Sequence, residues 1–484
     1  MVLTLEKEKR VEAPNIHDIL FPFQREDVER LLKIPRGIIG SDMGTGKTEE
    51  FLALCDRLGA HRVLVVCPKT MVLEWKARIE LRLGEEAAVP NGLEEGRYER
   101  FSLDMEHFQV RFLIINYEML RMERYVNTLK LIPWDVVGFD EAHRLKNPRA
   151  RAPGQRRRRG PSASLQVWGA RVIARRAKRL YHITGTPFLN YPDELWSLLN
   201  MLYPDAYPNY WGFVHSYCYT VATPWGAKVV GPNRGALPHL KAQLANLMVR
   251  REKKEVLPNL PDKLYRDIPL QMKGSQLRAY TSMEQEFVVL LKSGAELFAP
   301  STLARLTRLR QIALEPAIID VAAESSKTSA LIDLLNDIEG KVVVFSWFAS
   351  YLRFLDQLLE KVNHRIITGD NPETRHQARV DFQDDPDVKV LLASIGAGGV
   401  GIDLHSAQIA IFTDVFWTPA LNTQAEDRLH RIGQKGNVLI IRLIHPNTID
   451  EDMHRVLKRK ARAFNETMAI KEAVSSMLRR HPDD

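Results

Sequence analysis

Ten short runs of β-branched and aliphatic residues, each followed by a stretch with helical spacing, constrain this chain more than any other feature. Five lie in the first half: RGIIGS, RVLVVCP, RFLIINY, WDVVGFDEA and RLYHITGTP. Five lie in the second: GKVVVFSW, HRIITGD, VKVLLAS, QIAIFTD and VLIIRLI. Continuous apolar runs of this length read as strands buried on both faces, and strands alternating with helices read as parallel sheets. The pattern predicts an α/β protein with two tandem, doubly wound parallel-sheet lobes and helical insertions between and after them. The first lobe is expected over 1–255, with a helical extension at about 195–255. An inter-lobe crossover and helical protrusion is expected over 256–326, marked by the proline-bearing LPNLP. The second lobe follows over 327–447, and basic amphipathic helices over 448–484.

A chain of 484 residues, 45% hydrophobic and 26% charged, excludes a disordered, collagen-like or disulfide-built protein. Cys55, Cys67 and Cys218 are too widely spaced for a CxxC metal site or a disulfide framework, so buried thiols in a reducing compartment are expected. The charged start MVLTLEKEKR has no apolar core of a signal peptide. The longest uncharged stretch, Ala206 to Ala227, is broken by prolines, Asn209 and His215, so no membrane span is expected. The reading is a soluble, monomeric protein of the cytoplasm, nucleoid-associated or viral.

Charge is concentrated in one place. Arg144 to Arg179 holds 11 Arg, 2 Lys and no acid, which exceeds the net charge of +8 for the whole chain. The run Arg156, Arg157, Arg158, Arg159 is its centre. Such a segment attracts polyanions and releases their counterions, although a solvated loop would carry the same composition.

The segment GIIGSDMGTGKTEEFLALC reads strand, glycine-rich loop, helix, the context a phosphate-binding loop requires. Gly44 and Gly46 let backbone N–H groups turn toward an anion. Lys47 is placed to reach β and γ phosphates, Thr48 to hold Mg²⁺, and the helix N-terminus to face the phosphates. Ser41 stands where the full pattern has glycine. About 90 residues on, WDVVGFDEAHRLKN ends a strand with Asp140 and Glu141. Asp140 suits Mg²⁺, and Glu141 suits the work of orienting and deprotonating an attacking water. Together these motifs call for ATP and Mg²⁺.

From Ser41–Thr48 and Asp140–His143 onward, the chain resembles helicase superfamily two. DEAHRLKN, ITGTPFLNYPDELWSLLNMLYP, VRREKKEVLPNLPDK, LLASIGAGGVGIDL and DVFWTPALNTQAEDRLHRIGQ narrow the resemblance to the Swi/Snf-type ATPases. It runs from about residue 17 to 465 and implies RecA-like lobes. It adds Met43 and Thr45 to the nucleotide loop and implies that Gln24 reads adenine, with Phe23 or Arg25 beside the ring. Arg428 and Arg431 resemble the arginine fingers of the second lobe; their spacing predicts one helical face aimed at the γ-phosphate. Gly401 and Asp403 fall in a glycine motif facing the nucleotide, and Asp403 stands where the family usually has Asn.

The resemblance also implies a nucleic-acid track: Lys69 and Thr70 after one strand, Gly185 and Thr186 in a coupling motif, and Ser346, Trp347, Ser394 and Trp417 in the second lobe. These would grip phosphates rather than read bases. The implied function is ATP-driven translocation on double-stranded DNA with remodelling or displacement of a bound protein. A strand-separating or annealing DNA or RNA helicase is the alternative. The aromatic cluster from Tyr207 to Tyr219 reads as core rather than as a base-stacking platform.

Overall fold

The computed structural model describes residues 15–90, 109–149 and 164–468, apart from 186, 188–190, 225, 273, 292, 294–295, 300, 370–373 and 399–402. Within these residues the ten apolar runs all form strands, in two parallel sheets.

The first lobe contains β1 (Arg36–Ile39), β2 (Val63–Cys67), β3 (Ala87–Ala88), β4 (Phe112–Asn116), β5 (Val136–Asp140) and β6 (Arg179–Ile183). A hairpin follows, β7 (Cys218–Thr223) with β8 (Gly226–Pro232), and then β9 (Met248–Val249). The sheet order is β3-β4-β2-β5-β6-β1-β9, all pairings parallel. Every residue of β2, β4 and β5 is buried, as strands covered by helices on both faces must be. β6 lies between β1 and β5, with Ile39 and Asp140 both in register with Ile183. The loops leaving these three strands therefore emerge side by side at one sheet edge, where ligands of open α/β sheets bind.

The second lobe contains β10 (Lys263–Pro269), a small hairpin of β11 (Val288–Leu290) and β12 (Glu296–Phe298), β13 (Val342–Ser346), β14 (His364–Ile367), β15 (Val390–Ser394), β16 (Ile409–Phe412) and β17 (Val438–Ile444). Its sheet order is β10-β17-β16-β13-β15-β14, again parallel throughout. The segment expected as a separate crossover, 256–326, is divided differently. β10 adds an edge strand to the second sheet, and the helices Gly274–Gln285 and Thr302–Leu314 bury Tyr280, Met283, Leu309 and Ile312 in that lobe's core. The true crossover is thus short. The alternation of KLYRDIP is weak because β10 is half exposed, which hid it from the apolar pattern. In the same way the extension at 195–255 holds the β7–β8 hairpin and β9 beside its helices.

The long helix Ile449–Met468 closes the described chain. Its Asp450 meets the fully buried Lys327 at 2.7 Å, and Lys327 Nζ also donates to the Thr413 carbonyl at 2.7 Å. A buried ammonium needs such partners. Cys55, Cys67 and Cys218 are free and buried. Of the aromatic cluster, Phe213 and Tyr217 are core and Tyr207 and Tyr210 pack against it, while Trp211 and Tyr219 are exposed. Among the described residues no helix is long and apolar enough to cross a membrane.

One glycine sets the distance between the phosphate-loop helix, Lys47–Arg57, and the strand that carries the acids. A Cβ on Gly138 of β5 would lie 2.5 Å from the ring of the buried Phe51 on that helix. Overpacking of this kind costs about 1–3 kcal/mol, so Gly138→Ala should lower the denaturant midpoint by an equivalent amount. An unchanged midpoint would show that Phe51 moves aside freely.

Candidate nucleotide site between the lobes

The phosphate loop is built by backbone geometry. Gly44 and Gly46 hold φ of +77° and +86°, and Gly46 caps the helix Lys47–Arg57. Side chains at either position would be strained in that conformation, and one at Gly46 would run into the Gln24 amide. The loop is anchored to the start of the inter-lobe connection. Asp42 N donates to the Arg251 carbonyl at 2.9 Å, Arg251 N to Ser41 Oγ at 3.2 Å, and Lys253 N to Asp42 Oδ2 at 3.0 Å. Ser41 in place of glycine is thereby explained structurally, since its hydroxyl accepts from the connection.

Lys47 Nζ donates to the Ser41 and Asp42 carbonyls, each at 2.9 Å, inside the loop. Burial lowers its pKa, opposed by Glu141, Asp42, Glu50 and Asp140. Thr45 is buried, with Oγ1 donating to the Asp42 carbonyl at 2.9 Å. The Gln24 amide is bonded within its own lobe in this arrangement. Its Nε2 donates to the Thr45 and Gly46 carbonyls at 2.9 and 3.3 Å, and its Oε1 accepts from Phe21 N at 2.8 Å. With both ends of the amide committed and the side chain buried, Gln24 holds the phosphate loop.

At the end of β5, Asp140 is held on both carboxylate oxygens: Oδ2 accepts from Trp75 Nε1 and Oδ1 from Glu141 N, each at 2.9 Å. Burial, with Glu141 beside it, pushes its pKa up to about 6. Glu141 takes a left-handed φ of 51°, a strain of about 1–3 kcal/mol for a non-glycine residue. Burial would raise its pKa, but His143, Lys47 and Arg428 outweigh that and hold it below the ordinary carboxylate range. His143 Nδ1 lies 3.2 Å from Glu141 Oε2 and 3.3 Å from Thr184 Oγ1 at the end of β6. His143 therefore joins the acid to the next strand's loop.

The second lobe completes the pocket. One cavity of about 90 Å³ is lined by Met43, Gly44, Gly46, Lys47, Thr48, Asp140 and Glu141 from the first lobe and by Asp403, Arg428 and Arg431 from the second. Arg428 and Arg431 do not share a helical face. The helix Pro419–Glu426 ends before them, and both sit in the turns that follow. Arg428 is buried, its pKa lowered by burial and by Arg431 against the pull of Glu141 and Asp403. Lys253 ties the lobes behind the loop, donating to Asp427 Oδ1 and to the His430 carbonyl, each at 2.8 Å.

The glycine cradle, the inward lysine and the facing arginines fit a triphosphate. Among the described residues no cluster of three or more His, Cys, Asp or Glu could hold a metal. Asp140 and Thr48 alone suit a hard ion that keeps most of its ligands as water and phosphate oxygens, as Mg²⁺ does.

The expected nucleic-acid residues fare unevenly. Lys69 and Thr70 form a one-turn helix, Lys69–Met71, after β2. Gly185 faces inward, a Cβ there lying 2.8 Å from Met43 Sδ and 3.3 Å from Lys47 Nζ, so it belongs to the nucleotide side. Ser346 is fully buried and donates to Asp414 Oδ1 at 2.6 Å; it holds the end of β13 and offers no hydroxyl to a passing strand. Ser394 is also buried. Trp347 is half-buried and stacked on Phe416 at 3.7 Å, and the Arg310 guanidinium lies over the ring of the half-buried Trp417. Gly401, Thr186 and Arg156, Arg157, Arg158 and Arg159 lie outside the described residues. Sequence reasoning missed Trp75, Arg78 and Lys253, whose roles depend on contacts 65, 325 and 174 residues away along the chain.

Two family models together match most of the chain. The SNF2-related domain model matches residues 23–318, and the helicase conserved C-terminal domain model matches 326–433. The DNA annealing helicase and endonuclease ZRANB3 of Bos taurus is 27% identical over 93% of this chain and 40% of its own length. The ISWI chromatin-remodeling complex ATPase ISW1 of Saccharomyces cerevisiae is 27% identical over 94% of this chain and 41% of its own. The chain thus spans about 40% of the length of these relatives. A solved SWI2/SNF2 ATPase core of Sulfolobus solfataricus in complex with dsDNA is 23% identical, with a TM-score of 0.42 and 96% of each chain covered. The chain belongs to the SNF2-related domain family, with a helicase C-terminal domain as its second lobe.

Proposed function

We propose that this chain hydrolyses ATP under stimulation by nucleic acid and uses the cycle to move along double-stranded DNA, remodelling or displacing bound protein. The observation that carries this reading is the composition of the small cavity: Lys47, Thr48, Asp140 and Glu141 come from one lobe and Arg428 and Arg431 from the other. Neither lobe alone completes the site, so hydrolysis requires closure.

In the proposed reaction Lys47 and the loop N–H groups bind the β and γ phosphates. Glu141 takes a proton from the water as its oxygen bonds to the γ-phosphorus and the bond to the β-bridging oxygen breaks, releasing ADP and phosphate. Arg428 and Arg431 neutralise charge spreading over the γ oxygens. Thr48 and Asp140 would hold Mg²⁺, which supplies charge neutralisation on the phosphates when bound. His143, Lys47 and Arg428 favour the ionised form of Glu141, the form that accepts a proton, and its left-handed backbone turns the residue at the end of β5.

Both sheets place their loops at the C-terminal strand ends, so closing on ATP would shift the relative position of any groups gripping a nucleic-acid backbone. ATPase rates against duplex DNA, single-stranded DNA and RNA at two salt concentrations test the reading. Duplex DNA is expected to stimulate most, with steep loss at the higher salt. Equal or greater stimulation by single strands or RNA would favour strand separation or annealing, a reading that the annealing activity in the name of one relative keeps open; a strand-annealing assay separates those two.

A further inference from the structure

Arg78, in the first-lobe helix Val72–Leu83, is the one cation of the nucleotide cavity that the proposed reaction leaves unused among the described residues. Its own lobe grips it firmly: Nη1 meets Glu49 Oε1 at 2.5 Å, and Nε meets Glu74 Oε1 at 3.0 Å. Its remaining nitrogen, Nη2, crosses to the second lobe and lies 3.4 Å from Asp403 Oδ2. The other oxygen of the same carboxylate, Oδ1, accepts from Arg431 Nη1. Asp403 is itself fixed in its lobe: Gln383 Nε2 donates to its carbonyl at 2.9 Å, and the N–H of Leu404 donates to the Arg428 carbonyl at 2.9 Å.

We propose that Arg78 and Asp403 are positioning residues: a carboxylate shared between the lobes docks the second lobe on the first and aims Arg431 at the triphosphate. The proposal rests on the ATPase reading above. The chemistry explains why the position carries an acid. Two guanidiniums converge there, one on each oxygen of the carboxylate, and a carboxylate accepts from both sides. An asparagine would present one oxygen and one NH₂, so one guanidinium would face a donor. The shared carboxylate also removes repulsion between Arg78 and Arg431, which a neutral side chain would leave in place. Burial alone would raise the Asp403 pKa, but Arg431, Arg78 and Arg428 hold it below the ordinary range, so it stays ionised at neutral pH.

The test compares the full chain with Arg78→Gln, Asp403→Asn and the double variant, at saturating duplex DNA over a range of ATP. Each single change should lower kcat by about tenfold, the scale of one charge-assisted hydrogen bond, while KM for ATP moves less than about twofold. The double variant should be no slower than the slower single, because both break one linkage. Arg78→Lys should recover part of the loss. An unaltered kcat in Arg78→Gln, or losses that multiply in the double variant, would overturn the proposal. Small-angle scattering without nucleotide gives a readout independent of catalysis: either single change should expand the chain relative to wild type, and equal radii of gyration would also overturn it. If wild type fails to hydrolyse ATP while scattering behaves as expected, the functional reading fails and the bridge stands.

Discussion

Glu141→Gln is expected to cut ATP turnover by about 10²- to 10⁴-fold, the usual contribution of a positioned general base, and to leave ATP and duplex DNA binding nearly intact. The amide fills the same volume and accepts from the same side as the carboxylate, but it cannot take the proton of the attacking water. Lys47 and Arg428, which both face Glu141, lose a negative neighbour in the variant. That loss makes the cavity more cationic and should hold the nucleotide at least as well as in wild type. Phosphate release measured beside fluorescent-nucleotide binding decides the matter. Near-normal turnover would remove Glu141 from the base role, and lost binding would make its role structural.

Arg431→Ala is the second large effect, expected at about 10³-fold or more in kcat, the scale of a lost arginine finger. Arg431 lines the cavity against Gly44, its Cβ 3.0 Å from where a side chain at that glycine would begin, so the alanine removes charge at the mouth of the phosphate loop. The loss should fall on kcat rather than on KM, because charge on the γ oxygens grows in the transition state. Single-turnover phosphate release at saturating ATP checks this. A change confined to KM would place Arg431 in ground-state binding and leave Arg428 as the finger. The effect should exceed that of Asp403→Asn, since removing a group outweighs misaiming it.

Much of the site was legible because each half of it is local. Strand, glycine loop and helix are contiguous from Gly37 to Cys55, and glycine at 44 and 46 permits the left-handed backbone found there. Asp140 and Glu141 follow an apolar run, which by pattern alone puts them at a strand's C-terminal end. Other side chains have partners that lie far along the chain, and local pattern does not show them. Gln24 turns its amide onto the phosphate loop, and Ser346 gives its hydroxyl to Asp414, 68 residues on. The arginine spacing suggested a helical face, but the helix stops at Glu426 and the turn geometry delivers both guanidiniums instead. β10 escaped notice because an exposed edge strand needs only one apolar neighbour and so carries little pattern.

The amino-acid order by itself determined two parallel-sheet lobes, a phosphate loop and an acid pair, because strand burial and glycine backbone freedom act within a few residues. Only the tertiary structure decided which charges meet across the cleft: Arg78 with Asp403, Asp403 with Arg431, and Lys253 with Asp427. Those pairings depend on how two separately stable sheets come together, and Coulomb attraction over a few ångströms leaves no periodic trace in a chain whose partners are hundreds of residues apart.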